Sequence, residues 1–194
     1  MRKKLNKIIL STCLIASSLM AESSFFDDTS SLIGVEGGLS NLDVERNDAV
    51  NPANIKKYNM GHAGLKIGAQ SNDFRVFLSG RYYNADDFDY MTTYGLDIQY
   101  MLNITSAANI YFGAGTGLVK MRFAPAGELN SRTISDSYIS GDIGVNVHLS
   151  KSFDLELGIR YMGIDATNTI DSVTYTFDNS VSGYVSAIYK FKMD

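Results

Sequence analysis

The sequence is poor in the residues that usually build disulfide frameworks and metal sites. Its 194 residues include one cysteine, Cys13, two histidines, two prolines and no tryptophan. A single cysteine excludes an internal disulfide framework and a cysteine-rich metal site. Only 20% of the residues are charged and the formal net charge is −4, which argues against a generally basic nucleic-acid-binding protein. We therefore expect no metal, no cofactor and no nucleic-acid partner.

Beyond its first residues the sequence also lacks a long apolar run, which excludes a helical membrane span after residue 22. The first 21 residues have the pattern of a secretory signal peptide: a basic segment, a short apolar segment and the small residue Ala21. The alternative is an N-terminal membrane anchor. The apolar segment is shorter than the ~20 residues such a helix needs, and serine and threonine dilute it. We predict a signal peptide over residues 1–21 and one domain over residues 22–194.

The predicted domain contains eight runs of about ten residues, most of which alternate between apolar and polar residues. Alternation with a period of two is typical of β-strands with one apolar face. The runs lie near residues 33–40, 62–69, 74–83, 94–103, 110–121, 139–149, 153–161 and 181–191. The run at 110–121 is apolar or glycine on both faces, so its orientation stays open.

The connections between the runs alternate in length. Short ones are expected near residues 70–73, 103–109 and 150–152, and long polar ones near 41–58, 84–92, 122–137 and 163–174. An even number of strands with tight turns at one end and long loops at the other is typical of outer-membrane β-barrels. We therefore predict an all-β fold, an eight-stranded antiparallel up-and-down transmembrane β-barrel.

Aromatic residues on the apolar face cluster at the ends of the runs, as in the girdles that flank the lipid-facing band of such barrels. The long-loop ends carry Tyr82, Tyr94, Tyr161 and Phe177, and the short-turn ends carry Phe74, Tyr100, Phe153, Tyr189 and Phe191. A soluble sandwich or lipocalin-like barrel would show the same alternation with its apolar face inside. The position of the aromatic residues and the absence of tryptophan favour the membrane barrel.

The polar face carries acidic and basic residues in equal number: Glu36, Lys66, Arg75, Arg81, Asp97, Asp142, Glu156 and Arg160. The interior of an eight-stranded barrel is just wide enough for its side chains to fill it, so charges there must be paired. We predict that Asp142 pairs with Arg160 across adjacent strands, and Glu36 with Lys66. These pairs form either a structural plug or a gate that opens a narrow ion path.

The predicted signal peptide, the eight strands, the glycines at 113, 115 and 117 and the amphipathic last strand together resemble the small outer-membrane β-barrels. These are the OmpA-like transmembrane domain, OmpX and the opacity porin-like families. The resemblance implies a bacterial outer-membrane location, with lipid and lipopolysaccharide as surroundings. It also implies assembly by the barrel-insertion machinery, which usually recognises a terminal Phe. Here Phe191 is followed by three more residues.

The resemblance leaves three functions open. The first is a structural or surface role, in which the long loops contact a host or surface ligand. The second is a narrow, low-conductance porin, and the third is a lipid A-modifying enzyme with a His and a Ser near the outer rim. His62 and His148 are expected at opposite ends of the barrel, so we predict no catalytic site. Asp86, Asp87 and Asp89 lack the spacing of a calcium loop.

Overall fold

The computed structural model describes residues 29–48, 54–124, 131–170 and 173–192. Eight antiparallel strands pair in sequence order and close into a barrel, which confirms the predicted fold class. The strands are β1 (Ser30–Asn47), β2 (Asn54–Ser71), β3 (Phe74–Asn84), β4 (Phe88–Thr105), β5 (Ala108–Phe123), β6 (Arg132–Ser150), β7 (Phe153–Ile170) and β8 (Val173–Phe191). The predicted signal peptide lies outside the described residues.

Closure depends on the pairing of the first strand with the last. Ile33 lies opposite Ile67 on β2 and opposite Tyr189 on β8, so both sides of β1 are hydrogen-bonded. A closed ring leaves no strand edge, which is the condition for a sheet in lipid. Within the described ranges, no helix has the length and apolar character needed to cross a membrane.

The turns at one end of the barrel are tight, as predicted. Residues 72–73, 106–107 and 151–152 connect β2 to β3, β4 to β5 and β6 to β7. Asn72 has a φ of 48°, a conformation that asparagine tolerates better than most residues. Both ends of the described chain lie at this same end, because β1 starts there and β8 finishes there.

The prediction of long loops at the other end is wrong, because most of the residues assigned to those loops belong to strands. The connection between β3 and β4 is only residues 85–87, and that between β7 and β8 is only 171–172. β1 and β5 likewise run on to Asn47 and Phe123. The polar residues in these segments occupy one face of a strand whose other face is apolar, and only their overall polarity resembles a loop.

The two faces of the barrel wall exchange character along its height. In the lower part, Ile33 and Val35 face outward and are about half exposed, whereas Glu36 faces inward. Further along the same strand Leu42 and Val44 face inward and are buried, and Asp43 and Glu45 face outward. We call the part with the reversed pattern the outer extension. It comprises β1 from 42, β2 to 60, β4 to 91, β5 from 119, β6 to 138, β7 from 162 and β8 to 178.

Candidate functional site: the charged lumen and its apolar cover

The lower lumen is filled by a cluster of ion pairs around Arg75. Its guanidinium donates to Asp154 at 2.5 Å and to Glu156 at 2.8 Å. Lys66 lies 2.5 Å from the second oxygen of Glu156, and Lys190 lies 2.8 Å from Asp154. The Arg75, Asp154 and Glu156 side chains have no solvent exposure. Each buried carboxylate therefore faces two cations, the arrangement that offsets the cost of burying charge.

A second cluster lies above the first and centres on Glu36. Arg160 donates to Glu36 through Nη1 at 2.7 Å, and Arg81 donates through Nε at 3.0 Å. Arg81 also reaches Asp97 through Nη2 at 2.7 Å. Asp142 is held mainly by neutral groups, since it accepts from the Tyr184 hydroxyl at 2.8 Å and from Gln99 at 3.2 Å.

The eight predicted lumen residues all face inward, and of the two predicted pairs one is present as a long contact and the other is wrong. Asp142 and Arg160 lie directly opposite each other on β6 and β7. Arg160 Nη2 is nevertheless 4.0 Å from Asp142, because the guanidinium is directed at Glu36. The predicted pair of Glu36 with Lys66 is wrong: Lys66 lies opposite Gly34 and reaches Glu156 on β7. In so narrow a barrel, long side chains find partners across the lumen as well as on the adjacent strand.

Sequence reasoning missed two charged members of the lower cluster, Asp154 and Lys190. Both occupy inward positions of the alternation: Asp154 is two residues from Glu156, and Lys190 is two residues from Ile188. The position of each in the period-two pattern is the signal that could have found them. His148 also joins this cluster, with Nδ1 2.8 Å from Asp154.

The upper cluster contains a chain of a hydroxyl, an imidazole and a carboxylate. Ser40 Oγ lies 2.9 Å from His62 Nδ1, and His62 Nε2 lies 3.4 Å from Glu36. These are the residue types of an acyl-transfer site. However, all three side chains are buried, and Glu36 already binds two guanidinium groups. His62 and His148 lie in separate clusters. In the described ranges no three His, Cys, Asp or Glu side chains are grouped to hold a metal.

Above the charged clusters the lumen of the outer extension is closed by apolar side chains. Phe123 packs against Phe88 and Phe177 with ring centroids 5.0 and 5.2 Å apart. We call this the apolar cover; its buried members include Leu42, Val44, Tyr58, Met60, Tyr83, Phe88, Met91, Val119, Met121, Phe123, Ile134, Tyr138, Met162, Ile164, Tyr175 and Phe177. It fills the cross-section of the barrel with close-packed apolar side chains.

The turn between β3 and β4 is fastened to the rim of the apolar cover. Asp87, which has a φ of 65°, accepts from Lys56 at 2.8 Å and from the Tyr58 hydroxyl at 3.0 Å. The hydrogen bond to Asp87 raises the pKa of Lys56, and burial raises the pKa of Tyr58. At neutral pH the ammonium group is therefore charged and the phenol is neutral.

Phe177 belongs to the apolar cover, and its predicted place in the outer aromatic girdle is wrong. The hydrogen-bonding register of β8 shifts against β1, where Leu42 lies opposite Ser180 and Val44 opposite Phe177. It also shifts against β7. A bulge adds a residue and reverses which face the following side chains occupy. Strict alternation from Val181 would direct Phe177 outward, whereas the bulge directs it inward.

The other predicted girdle residues face outward on the lower barrel. Tyr82, Tyr94 and Tyr161 lie towards the outer extension, and Phe74, Tyr100, Phe153, Tyr189 and Phe191 lie near the tight turns. Phe112 joins this second group. Sequence reasoning missed it because the orientation of β5 was open; the structure directs Tyr111 inward and Phe112 outward.

The glycines of β5 face inward and make room for large side chains from neighbouring strands. A Cβ at Gly113 would collide with the carboxylate of Asp142, and one at Gly117 with the ring of Tyr138. The run of alternate glycines is therefore a packing feature of the lumen, because only glycine leaves space for these side chains.

Comparisons with known proteins agree with this architecture. A family model described as the outer membrane protein beta-barrel domain matches residues 9–191. Among solved structures, Neisserial surface protein A has a TM-score of 0.58 and 18% identity, covering 82% of this chain and 97% of its own. OprG of Pseudomonas aeruginosa has a TM-score of 0.57 and 15% identity, covering 84% and 97%. OprH of P. aeruginosa has a TM-score of 0.51 and 20% identity, covering 84% and 99%.

Sequence identities this low show a similarity of fold only. No curated protein matches the chain. The family match extends over nearly the whole sequence, including all eight strands. The chain therefore belongs to the outer membrane protein β-barrel domain family, whose place is the bacterial outer membrane.

Proposed function

We propose that this protein is a closed, non-enzymatic barrel that acts through its outer extension and its lipid-facing wall. The observation that carries the proposal is the filled lumen. Two ion-pair clusters occupy its lower part, and the apolar cover closes it above. A solute would have to separate buried ion pairs and then cross a close-packed apolar layer, and each of these steps is costly.

A narrow porin is the competing function, and it needs rearrangement of both layers. Exchange of ion pairs alone would not open a path, because the apolar cover has no charged groups and its few tyrosine hydroxyls cannot replace the hydration shell of an ion. The same closure argues against catalysis at Ser40 and His62, since Ser40 is only 2% exposed and a substrate cannot reach its hydroxyl without that rearrangement.

The partners we propose follow from the outer surfaces. Lipid and lipopolysaccharide surround the band of exposed apolar residues, such as Leu157 and Ile159. The barrel-insertion machinery meets β8, where Tyr189 and Phe191 stack outward with centroids 6.0 Å apart. A host or surface ligand would meet the polar outer face of the outer extension, which replaces the long loops in this role. Export through a signal peptide over residues 1–21 is part of the same proposal.

Single-channel recording in planar bilayers tests the closed lumen. Refolded wild-type protein should be silent, with folding verified by the mobility shift between heated and unheated samples on electrophoresis. A matched variant combines Phe88→Ala/Phe123→Ala/Phe177→Ala with Arg75→Ala and Arg160→Ala. It removes large rings of the apolar cover and a central cation of each ion-pair cluster, so it should open transiently. Discrete and reproducible openings of the wild type would refute the proposal and place the porin first.

A further inference from the structure

Charge is distributed unevenly around the outer extension. Its outward face carries Asp43, Glu45, Asp165 and Asp178 on β1, β7 and β8, which we call the acidic wall. Lys120 and Arg122 on β5 form the basic wall. Asp43 forms an ion pair with Lys57 at 3.7 Å, and Arg122 forms one with Asp89 at 3.0 Å. Among the described residues, Asp165 and Lys120 have no ion-pair partner and are exposed.

Both walls stand at a similar height above the lipid-facing band. Lys120 comes two residues after Leu118, the last large apolar residue to face outward on β5. Asp165 comes four residues after Tyr161 on β7, and Asp178 comes three residues before Val181 on β8. At ~3.3 Å per residue along tilted strands, these charges lie within several ångströms of one level.

The lipid-facing wall below the acidic residues is recessed. A Cβ at Gly183 would meet no atom within 4 Å, and one at Gly37 would meet none closer than 3.8 Å. These glycines lie in a groove of about 840 Å³ that Leu39, Val181 and Leu157 also line. Small residues let a second membrane-embedded surface approach closely.

We propose that copies of this protein associate side by side in the membrane, with the acidic wall of one copy against the basic wall of the next. The two walls are different surfaces, so the contact is head-to-tail and repeats along a row or around a ring. A second copy supplies both signs of charge at the same level. Anionic lipid headgroups would complement only the basic wall and would be repelled by Glu45, Asp165 and Asp178.

Cysteine crosslinking in vesicles tests this arrangement directly. In a Cys13→Ser background, Ser135→Cys places a thiol beside Lys120, its register partner, and Thr167→Cys places one two residues from Asp165. Mixing the two single variants should give a crosslinked dimer several-fold more abundant than either variant alone. The double variant should give a ladder. Asn84→Cys, at the end of β3 and outside both walls, is the control and should crosslink with neither.

Charge reversal separates association from lipid binding. Lys120→Glu in the Ser135→Cys chain should abolish the mixed dimer, and Asp165→Lys in the Thr167→Cys chain should restore it. Raising the salt to ~1 M, where charges are screened within about 3 Å, should reduce the crosslink several-fold. The proposal is overturned if the mixed dimer is absent or if each variant crosslinks equally with itself. It is also overturned if Lys120→Glu weakens binding of anionic vesicles and leaves the dimer unchanged.

Discussion

Replacing Arg75 with methionine tests whether the lower ion-pair cluster stabilises the barrel. The change keeps most of the side-chain volume and removes the cation that links Asp154 with Glu156. Removing one partner of a buried ion pair costs ~3–5 kcal/mol of unfolding free energy. Asp154 keeps Lys190 at 2.8 Å, and Glu156 keeps Lys66 at 2.5 Å. Since each carboxylate retains one cation, we expect a loss near the lower bound, ~3 kcal/mol.

The assay is urea-induced unfolding in lipid vesicles, followed by tyrosine fluorescence and by electrophoretic mobility. Arg122→Met is the matched control, because its ion pair with Asp89 is about half exposed. Such a pair contributes at most ~1 kcal/mol. Adding Glu156→Gln to Arg75→Met should increase the loss, since it leaves the buried Lys66 ammonium without its carboxylate partner. Equal midpoints for Arg75→Met and Arg122→Met would refute the view that the cluster is a stabilising plug.

Three further substitutions examine packing, polarity and pH by the same unfolding assay. Gly144→Ala should cost ~1–3 kcal/mol, because its Cβ would collide with Tyr111 and the backbone. Gly141→Ala, whose Cβ would meet nothing closer than 3.8 Å, should change little, and equal effects would contradict this account. Leu157→Arg in the lipid-facing band should lower the free energy of unfolding by ~2–4 kcal/mol, whereas Thr167→Arg in the outer extension should be tolerated. Similar losses for both variants would refute the exchange of apolar and polar faces between the two parts of the barrel. Because its ion pair raises the pKa of Lys56 above 10.5, that pair stabilises the fold below pH 10.5 and is lost as pH rises through the raised value. A gap between wild type and Lys56→Met that persists at higher pH would contradict this.

The period-two pattern was sufficient to predict the barrel, because every strand in lipid must direct its apolar side chains outward over the same band. The run from 74 to 83 corresponds closely to the whole of β3, and the run from 153 to 161 to the lower part of β7. The pattern failed at β5, where Ala114 and Gly115 are both small. Which face of such a strand lies inward depends on the neighbouring side chains it must accommodate, here Asp97, Asp142 and Tyr138.

The pairing within the lumen could not be predicted from the sequence. Alternation determines that Lys66 and Glu156 both face inward, but they lie on β2 and β7 and meet only because the barrel is narrow. Cross-strand rules consider adjacent strands, and they led to Glu36 as the partner of Lys66. The contact of Arg160 with Glu36 likewise spans β7 and β1 across the interior.

The outer extension has the overall polarity of loops because its alternation has the opposite orientation to that of the lower barrel. In β7, Tyr161 is the last large apolar residue that faces outward, and Met162 and Ile164 are apolar residues that face inward. At this point apolar residues simply move from odd to even positions, just before the register shift that β7 shows between Gly163 and Ala166. In β8 a bulge before Ser180 makes the same change by altering the register with β1.

This exchange of faces has a direct physical cause. A strand in lipid must face outward with apolar groups, whereas the same strand in water must bury them, so the position of the exchange marks the boundary between the two solvents. The level just beyond Tyr94, Leu118 and Tyr161 is therefore where the wall leaves the lipid. Above that level the barrel is built as a water-soluble one, with an apolar interior. The apolar cover is thus the core that the projecting strands require for stability, and the closed lumen is a consequence of extending the barrel into water.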